Sequence, residues 1–337
     1  MNVRMMSRRG WLLAAALIAT ASLGMHSRIA AAAETWDAYV TFTLATAPNV
    51  QGVQRILDGI KQQSNGAVSI RLHLGGSLPI NTQNITQAVS DNVVQMGDDA
   101  FFQGNVPIVG LLRLPMLLRN LDDFNKAAAV MEPYTTAAYA KKGIVYLGQY
   151  AYPLQGPFSR KKLTSLADLK GQKLRPTSPE QGEFLKRFGG IPVSAGAAEV
   201  TSGLDRGVFD GVVTASAVGG KAWKEQLKYA LRIPLNFGNS PIIVNKAAFD
   251  KLAPDVQAKL RKLVQDETQK ITTVLQQEDI DATKDFSATG AMVVTEATAQ
   301  EVAEARRVMI PYWDEWAKAR GPEAVEALAK VRAALGR

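Results

Sequence analysis

The chain contains no cysteine. That excludes disulfides, a thiol nucleophile, and any zinc or iron–sulfur site built on thiolates. Histidine is nearly as scarce, with His26 and His73 the two present. His26 falls in the leader described below, so a Ser-His-Asp triad would rest on His73 alone. His73 sits in Ser69-Ile70-Arg71-Leu72-His73-Leu74. Ile70, Leu72 and Leu74 alternate onto one face, and His73 shares the other with Arg71, which predicts a solvated strand histidine. The nucleophile-elbow, zincin, dinucleotide and P-loop signatures are all missing. Glu278, Asp279 and Asp281 crowd together without the glycine and ligand spacing of a calcium loop, and read as a solvated helix face. No metal or cofactor is expected, and no enzymatic acid–base pair stands out.

The N-terminus supplies a setting. Arg4, Arg8 and Arg9 form a positive stretch, Trp11 to Met25 is apolar and uncharged, and Ala30 to Ala33 offers small residues for cleavage. This predicts a secretory signal peptide over residues 1–33, too short for a comfortable membrane span, with the mature chain beginning at Ala33 or Glu34. Ser7-Arg8-Arg9-Gly10-Trp11-Leu12 also resembles a twin-arginine signal, so export by the Tat or the Sec route fits equally. The expected location is the periplasm. The leader holds four arginines and no acid, so the rest carries 35 Lys+Arg against 31 Asp+Glu, a net charge of +4 rather than +8. Arg160-Lys161-Lys162 is the one compact basic run and suits a solvated turn. There is no electrostatic case for nucleic acid. With 47% apolar residues the chain can fill a large core, and its length suggests two domains.

The remainder alternates strands and helices. Tyr39 to Leu44, Val68 to Leu74 and Val93 to Met96 read as strands. Helices are expected from Val50 to Ile60, Asn81 to Ser90 and Asp122 to Lys142, with a strand at Ile144 to Leu147. The order predicts an α/β fold with a largely parallel sheet flanked by helices, and ligands in such sheets sit beyond the carboxyl ends of the strands. A second unit repeats the grammar: strands at Lys173 to Arg175, Val208 to Val213 and Pro241 to Val244, and helices from Ser178 to Gly189 and Ala198 to Arg206. A helix from Pro254 to about Phe286 is long enough to bridge two lobes. Met292 to Val294 is a late strand, and two helices close the chain, the first carrying Pro311. Repeated crossing between the lobes places a cleft between them. Arg175 ends a short strand before Pro176. Arginine meets a carboxylate with two parallel hydrogen bonds, so Arg175 is a candidate anchor for a small acid. On spacing alone a solvated surface arginine is the stronger reading.

Several segments change that weighting. Gly75-Gly76-Ser77-Leu78, Met96-Gly97 and Leu114-Pro115-Met116-Leu117 recur in order, followed by Leu166-Ala-Asp-Leu-Lys-Gly-Gln-Lys-Leu-Arg175. Glu199-Val200, Leu204 and Gly207 to Gly211 complete the set. Together they resemble the periplasmic solute-binding component of tripartite ATP-independent periplasmic (TRAP) transporters, of the dicarboxylate-binding (DctP) type, over nearly all of the mature chain. The resemblance implies a two-lobed periplasmic-binding-protein fold, each lobe a largely parallel sheet flanked by helices, with a long helix spanning both. Lobe I would comprise 34–152 plus 240–270, lobe II 153–239 plus 271–310, and 311–337 a C-terminal helical segment. It implies a monomer that closes over a small organic acid and delivers it to the TRAP membrane subunits, and it puts the carboxylate-pairing arginine on Arg175. A ligand-binding partner of a membrane sensor shares this fold, and an extracellular enzyme is the more distant alternative.

The departures bear on specificity. Many members carry a second arginine upstream; here the region reads Tyr152-Pro153-Leu154-Gln155-Gly156. Gln155 can hydrogen-bond but cannot neutralise a second carboxylate. The frequent Phe before the Glu-Val pair is Ala197, which should enlarge the pocket, and Thr214 stands near the family's Asn or Trp after Asp-Gly. A bulky monocarboxylate is expected over a compact dicarboxylate. Asn49, Phe101, Trp223 and Asn239 fall where edge loops should meet the cleft, and each suits packing equally well.

Overall fold

The computed structural model describes residues 34–337; the leader expected over 1–33 lies outside them. The chain begins with β1 (Glu34–Tyr39), pairs it in parallel with β2 (Val68–His73), and returns through α1 (Pro48–Gln63). The alternation predicted from Tyr39 to Leu44 marks the end of this strand rather than its body. Trp36, Ala38 and Tyr39 are buried, whereas residues 43–46 are exposed turn. After α2 (Ile85–Ser90), β3 (Met96–Asp98) joins β1 in parallel, and α3 (Leu121–Ala140) follows.

β4 runs from Ile144 to Ser159, four times the length the apolar run Ile144 to Leu147 suggests. Two features hid it. Gly148 has φ of +154°, at a register shift against β9 (Asn236–Asn245), and Pro153 lies in a second shift between Ala151 and Leu154. A proline without an N–H is tolerated at such a bulge. The chain then forms β5 (Lys173–Arg175), α4 (Pro179–Arg187), β6 (Ile191–Pro192), α5 (Val200–Asp205) and β7 (Gly211–Thr214). β8 (Tyr229–Arg232), which sequence periodicity does not reveal, precedes β9.

The strand order is β2-β1-β3-β9-β4-β7-β5-β6, with β8 also on β4. Parallel pairs lie on each side, but β4 and β9 run antiparallel to each other and to their neighbours β7 and β3. The sheet is therefore mixed: parallel within each group of strands and antiparallel where β4 and β9 join them. The two long strands are shared by both groups of parallel strands.

α6 (Lys246–Asp250) leads into α7 (Pro254–Thr289). At 1.5 Å per residue, the 36 residues of α7 extend about 54 Å. Its buried residues recur every three or four positions, as a helix lying on a core requires. Val256, Leu260, Val264, Ile271 and Leu275 join the apolar cluster around Trp36 and α1, whereas Ala282 and Phe286 join the cluster around Phe158 and Val212. Close approach to α1 depends on Gly52, where an added Cβ would lie 2.2 Å from Ile271. β10 (Val293–Glu296) pairs with β8, and α8 (Ala299–Lys318) and α9 (Pro322–Ala334) end the chain, with Pro311 inside α8. Trp313 and Trp316 of α8 are buried in the largest apolar cluster, and the Trp313 indole donates to the Pro115 carbonyl at 2.8 Å.

Candidate functional site

The segment before Arg175 is mostly scaffold. The Asp168 carboxylate accepts from the Thr164 N–H (2.8 Å), the Thr164 hydroxyl (3.0 Å) and the Ser165 N–H (3.1 Å), closing a tight turn. Gln172 is buried, donating to the carbonyls of Lys162 (2.8 Å) and Asp168 (2.7 Å) and accepting from Ser159 (2.6 Å). Asp210 accepts from the Lys173 N–H at 2.9 Å and pairs with Lys161 at 2.9 Å. Desolvation would raise the Asp210 carboxyl, but these bonds hold it below its ordinary value. Gly211 is forced: a Cβ there would come within 2.0 Å of the Phe158 carbonyl. These contacts fix β5 between β6 and β7, and so fix the residue at its end.

That residue is Arg175, 5% exposed. Its Nε donates to the Ala195 carbonyl at 3.0 Å. Among the described residues its Nη nitrogens have no hydrogen-bond partner and no carboxylate within ion-pair distance. Burial pushes the guanidinium down to about 10, partly offset by Glu199, so it stays charged at neutral pH. With Nε committed, the paired Nη edge is left to face an oxyanion, the geometry that grips a carboxylate with two bonds.

The turn after Arg175 hangs on Gln181. The Gln181 Oε1 accepts from the Thr177 N–H (2.7 Å) and hydroxyl (2.9 Å); its Nε2 donates to Asn236 Oδ1 (3.0 Å) and to Gln155 Oε1. Asn236 donates in turn to the Arg113 carbonyl at 2.9 Å. Gln155 and Asn239 belong to this buried network. Asn239 accepts from Arg113 Nε and donates to Gln149 at 2.7 Å.

Arg175 opens onto a cavity of about 730 Å³. One wall is the turn Pro176–Pro179 with Gly182 and Lys186 of α4; the other is formed by Gln83, Asn84 and the segment Phe101 to Asn105. Positions 179, 182 and 186 share one face of α4, so the cavity runs along that helix. Its lining holds two charged side chains, Arg175 and the exposed Lys186, and no acid. Both walls lie beyond carboxyl ends of parallel strands, after β2 and β3 on one side and after β5 on the other.

Against known proteins, residues 39–319 match bacterial extracellular solute-binding protein family 7, DctP. The chain belongs to this family. The C4-dicarboxylate-binding periplasmic protein DctP of Rhodobacter capsulatus is 24% identical over 333 residues, covering 96% of this chain and 98% of that protein. The 2,3-diketo-L-gulonate-binding periplasmic protein YiaO of Escherichia coli is 25% identical over 246 residues, 68% of this chain and 75% of that protein. Among solved structures, DctP6 of Bordetella pertussis, an extracytoplasmic solute receptor binding pyroglutamic acid, superposes with a TM-score of 0.82 at 25% identity, covering 89% of this chain and 99% of that one. A TRAP periplasmic solute-binding protein from a Sulfitobacter species, holding β-D-galacturonate, gives a TM-score of 0.80 at 17% identity, with coverage of 89% and 99%. DctP-family proteins are extracellular solute-binding receptors, not enzymes. No helix among the described residues is long and apolar enough to cross a membrane.

Of the eight residues singled out from sequence, the DctP-type cavity takes Arg175 and Phe101 into its lining. Gln155 and Asn239 support it from behind. Asn49 is buried on α1 and donates to the Tyr150 hydroxyl at 3.2 Å. Thr214 accepts from the Gly219 N–H at 3.0 Å, and Trp223 packs half-buried over Gly219. Ala197 stands exposed on the 3-10 turn Ala197–Glu199 and is not among the cavity-lining residues, so the small residue does not widen it; Ala195, two positions earlier, lines it instead. Sequence reasoning passed over Arg113, buried with its guanidinium 4.6 Å over the Phe102 ring, and the buried neighbours Asp98 and Asp99.

Proposed function

We propose that this protein is an extracytoplasmic receptor that binds a small monocarboxylic acid, clamps its carboxylate with Arg175, and passes it as a monomer to TRAP membrane subunits. One observation carries the reading: a buried, charged arginine presents an unpartnered edge to a cavity whose lining has no acid. The wall opposite Arg175 is uncharged, so a second carboxylate reaching it would face desolvation of several kcal/mol without a counter-ion. Lys186 is the exception to weigh. It sits exposed on the Arg175 side, where it favours the approach of anions more than it neutralises the far wall.

The reading includes closure. The cavity walls belong to two groups of strands joined by β4, β9 and α7, which supports lobes of 34–152 with 240–270 and 153–239 with 271–310, and 311–337 as a C-terminal segment. The relatives' ligands, among them pyroglutamic acid and β-D-galacturonate, are organic acids of a size that this volume admits.

The test is calorimetry with a panel of organic acids, after a thermal-shift screen for the ligands that stabilise the native state. Arg175→Ala should lose about 2–5 kcal/mol of binding, a factor of about thirty or more. Arg175→Lys should also bind weakly, because a point charge lacks the fork. A lysine variant that binds as tightly as the parent overturns the clamp. Succinate or malate outcompeting every monocarboxylate overturns the preference for one carboxylate.

A further inference from the structure

Six strands end together on a rim of the sheet, at the opposite end of β5 from Arg175. In the order β6-β5-β7-β4-β8-β10, β4 runs antiparallel to β7 and β8, so its carboxyl end meets the amino ends of the other five. Backbone bonds cross this rim without a break. The N–H of Ile191 donates to the Gln172 carbonyl (2.8 Å), that of Asp210 to Lys173 (2.6 Å), that of Arg160 to Asp210 (3.0 Å), that of Lys228 to Ser159 (2.9 Å) and that of Val293 to Lys228 (2.8 Å). At about 4.8 Å per strand spacing, the rim is roughly 24 Å long. Its charge is one-sided. Segments 159–173, 205–211 and 224–229 hold eight Lys or Arg against four Asp or Glu, which leaves 27 of each sign in the rest of residues 34–337. The whole net charge of +4 after the leader therefore sits on this rim. Two of its acids are committed: Asp210 is buried and pairs with Lys161, and Asp168 is bonded by Thr164 and Ser165. Lys162, Lys170, Lys173, Arg206 and Lys228 are exposed, and none has a carboxylate within ion-pair distance among the described residues. Three exposed aliphatics stand among them: Ile191 (45%), Val208 (47%) and Val293 (51%).

We propose that this rim is a contact surface for an anionic phospholipid bilayer. Lysine is a compact charge on a flexible stem, suited to many phosphates in no fixed arrangement, and four of the five uncommitted cations are lysines. Their stems and the three aliphatics reach the headgroup layer while the ammonium groups stay at its phosphates. A surface that binds another protein gathers its apolar side chains into one core and thins out lysine there. Here single aliphatics are distributed between cations, on different strands and turns, which fits a fluid layer of headgroups better. The attraction is a sum of weak terms within a Debye length, so the contact is reversible and salt-sensitive. It also has an orientation. A protein held by this rim keeps the carboxyl ends of β5 and β7, and the cavity beyond Arg175, directed away from the bilayer. The contact serves retention near a membrane with the cavity open to solution, and it is independent of which acid the cavity takes.

The test is flotation of the mature protein with vesicles of phosphatidylcholine alone and of phosphatidylcholine with about one third phosphatidylglycerol. The parent should bind the anionic vesicles at least about tenfold more tightly, and raising the salt from about 0.03 to 0.3 M should remove most of that binding. The double variant Lys162→Glu with Lys173→Glu should lose at least about tenfold. Lys251→Glu with Lys318→Glu changes the net charge equally at exposed positions elsewhere and should stay within about twofold. Val208→Ser with Val293→Ser keeps every charge and should weaken vesicle binding about threefold or more. All four positions of the two charge pairs are exposed, and thermal melts matching the parent's show that the fold is kept. Equal binding to both kinds of vesicle overturns the proposal, as do equal losses in the two lysine pairs. Binding to polyglutamate without binding to anionic vesicles also overturns it, and assigns the rim to an acidic protein instead. Loss of solute binding in Arg175→Ala leaves vesicle binding unchanged, so the clamp and this surface stand or fall separately.

Discussion

Arg113 and Asn239 are joined twice. The Arg113 Nε donates to Asn239 Oδ1 at 2.8 Å, and a second guanidinium nitrogen donates both to the Asn239 carbonyl and, at 2.8 Å, to that of Ala100. The arginine comes from the 3-10 segment Pro107–Arg113 and the asparagine from β9, so the pair ties the chain behind the cavity wall of Phe101 to Asn105 to a strand that both halves of the sheet share. Burial pushes the Arg113 guanidinium down to about 10, with Glu180 the largest opposing influence, and it remains charged.

Arg113→Met should therefore be severe. It strands the Asn239 amide and two carbonyls in a buried site and removes a cation from near Asp99. A loss of about 3 kcal/mol or more is expected in denaturant titration. A loss under about 1 kcal/mol would mean that water takes over the freed acceptors.

Asp98 and Asp99 give a pH dependence. Burial raises both carboxyls from 3.8 to about 6, against bonds from Ser240 and Tyr150 to Asp98 and from Thr86 and Tyr139 to Asp99. Between those values the folded state keeps protons that the unfolded state has released. Their contribution is fully present below 3.8 and lost as the pH rises through about 6, so acidification from neutral to about pH 5 stabilises. Below about pH 4 the trend reverses, because Asp37, Asp168 and Asp210 have lowered values and lose their bonds on protonation. Asp99→Asn keeps an oxygen for Thr86 and Tyr139 and removes the charge. Its melting temperature should exceed the parent's at pH 7 and change less between pH 7 and 5. A steeper dependence in the variant would contradict the assignment.

Ala197→Phe should leave ligand affinity within about twofold. The position is exposed and outside the cavity lining. Competition calorimetry decides it: strong weakening would mean that the turn Ala197–Glu199 folds over the ligand on closure.

Binding should compact the protein without changing its oligomeric state. Small-angle scattering with a saturating acid would show a smaller radius of gyration at constant mass. An unchanged radius would argue for a rigid pocket.

The sequence displayed its helices better than its strands. α7 declared itself by 3.6-residue periodicity from Pro254 onward, and α4 by Ser178 and Pro179, whose side chain and ring cap and start it. β4 and β9 were legible only as fragments, since Gly148, Pro153, Gly156 and Pro157 look like punctuation until a partner strand shows which of them fall at bulges. Arg175 was visible through its motif. The cavity wall opposite it was not, because Gln83 and Gln103 are twenty positions apart, have no periodicity, and come together only when the chain returns. Gln155 and Asn239 stand behind the cavity: the Gln155 side-chain oxygen accepts from Gln181, and the Asn239 side chain accepts from Arg113 and donates to Gln149.

β4 and β9 form a torsion bar. Every ladder bond between them would resist a hinge, and the ladder is interrupted at two shifts, at Gly148 and between Ala151 and Leu154. The second shift is braced from outside, where the Ala151 N–H donates to the Thr272 hydroxyl of α7 at 3.0 Å. In the closure proposed above, a swing of one half against the other would wind this short stretch and pull on α7. A ligand that closes the cavity would do elastic work against the pair of strands, and its release would let the spring unwind.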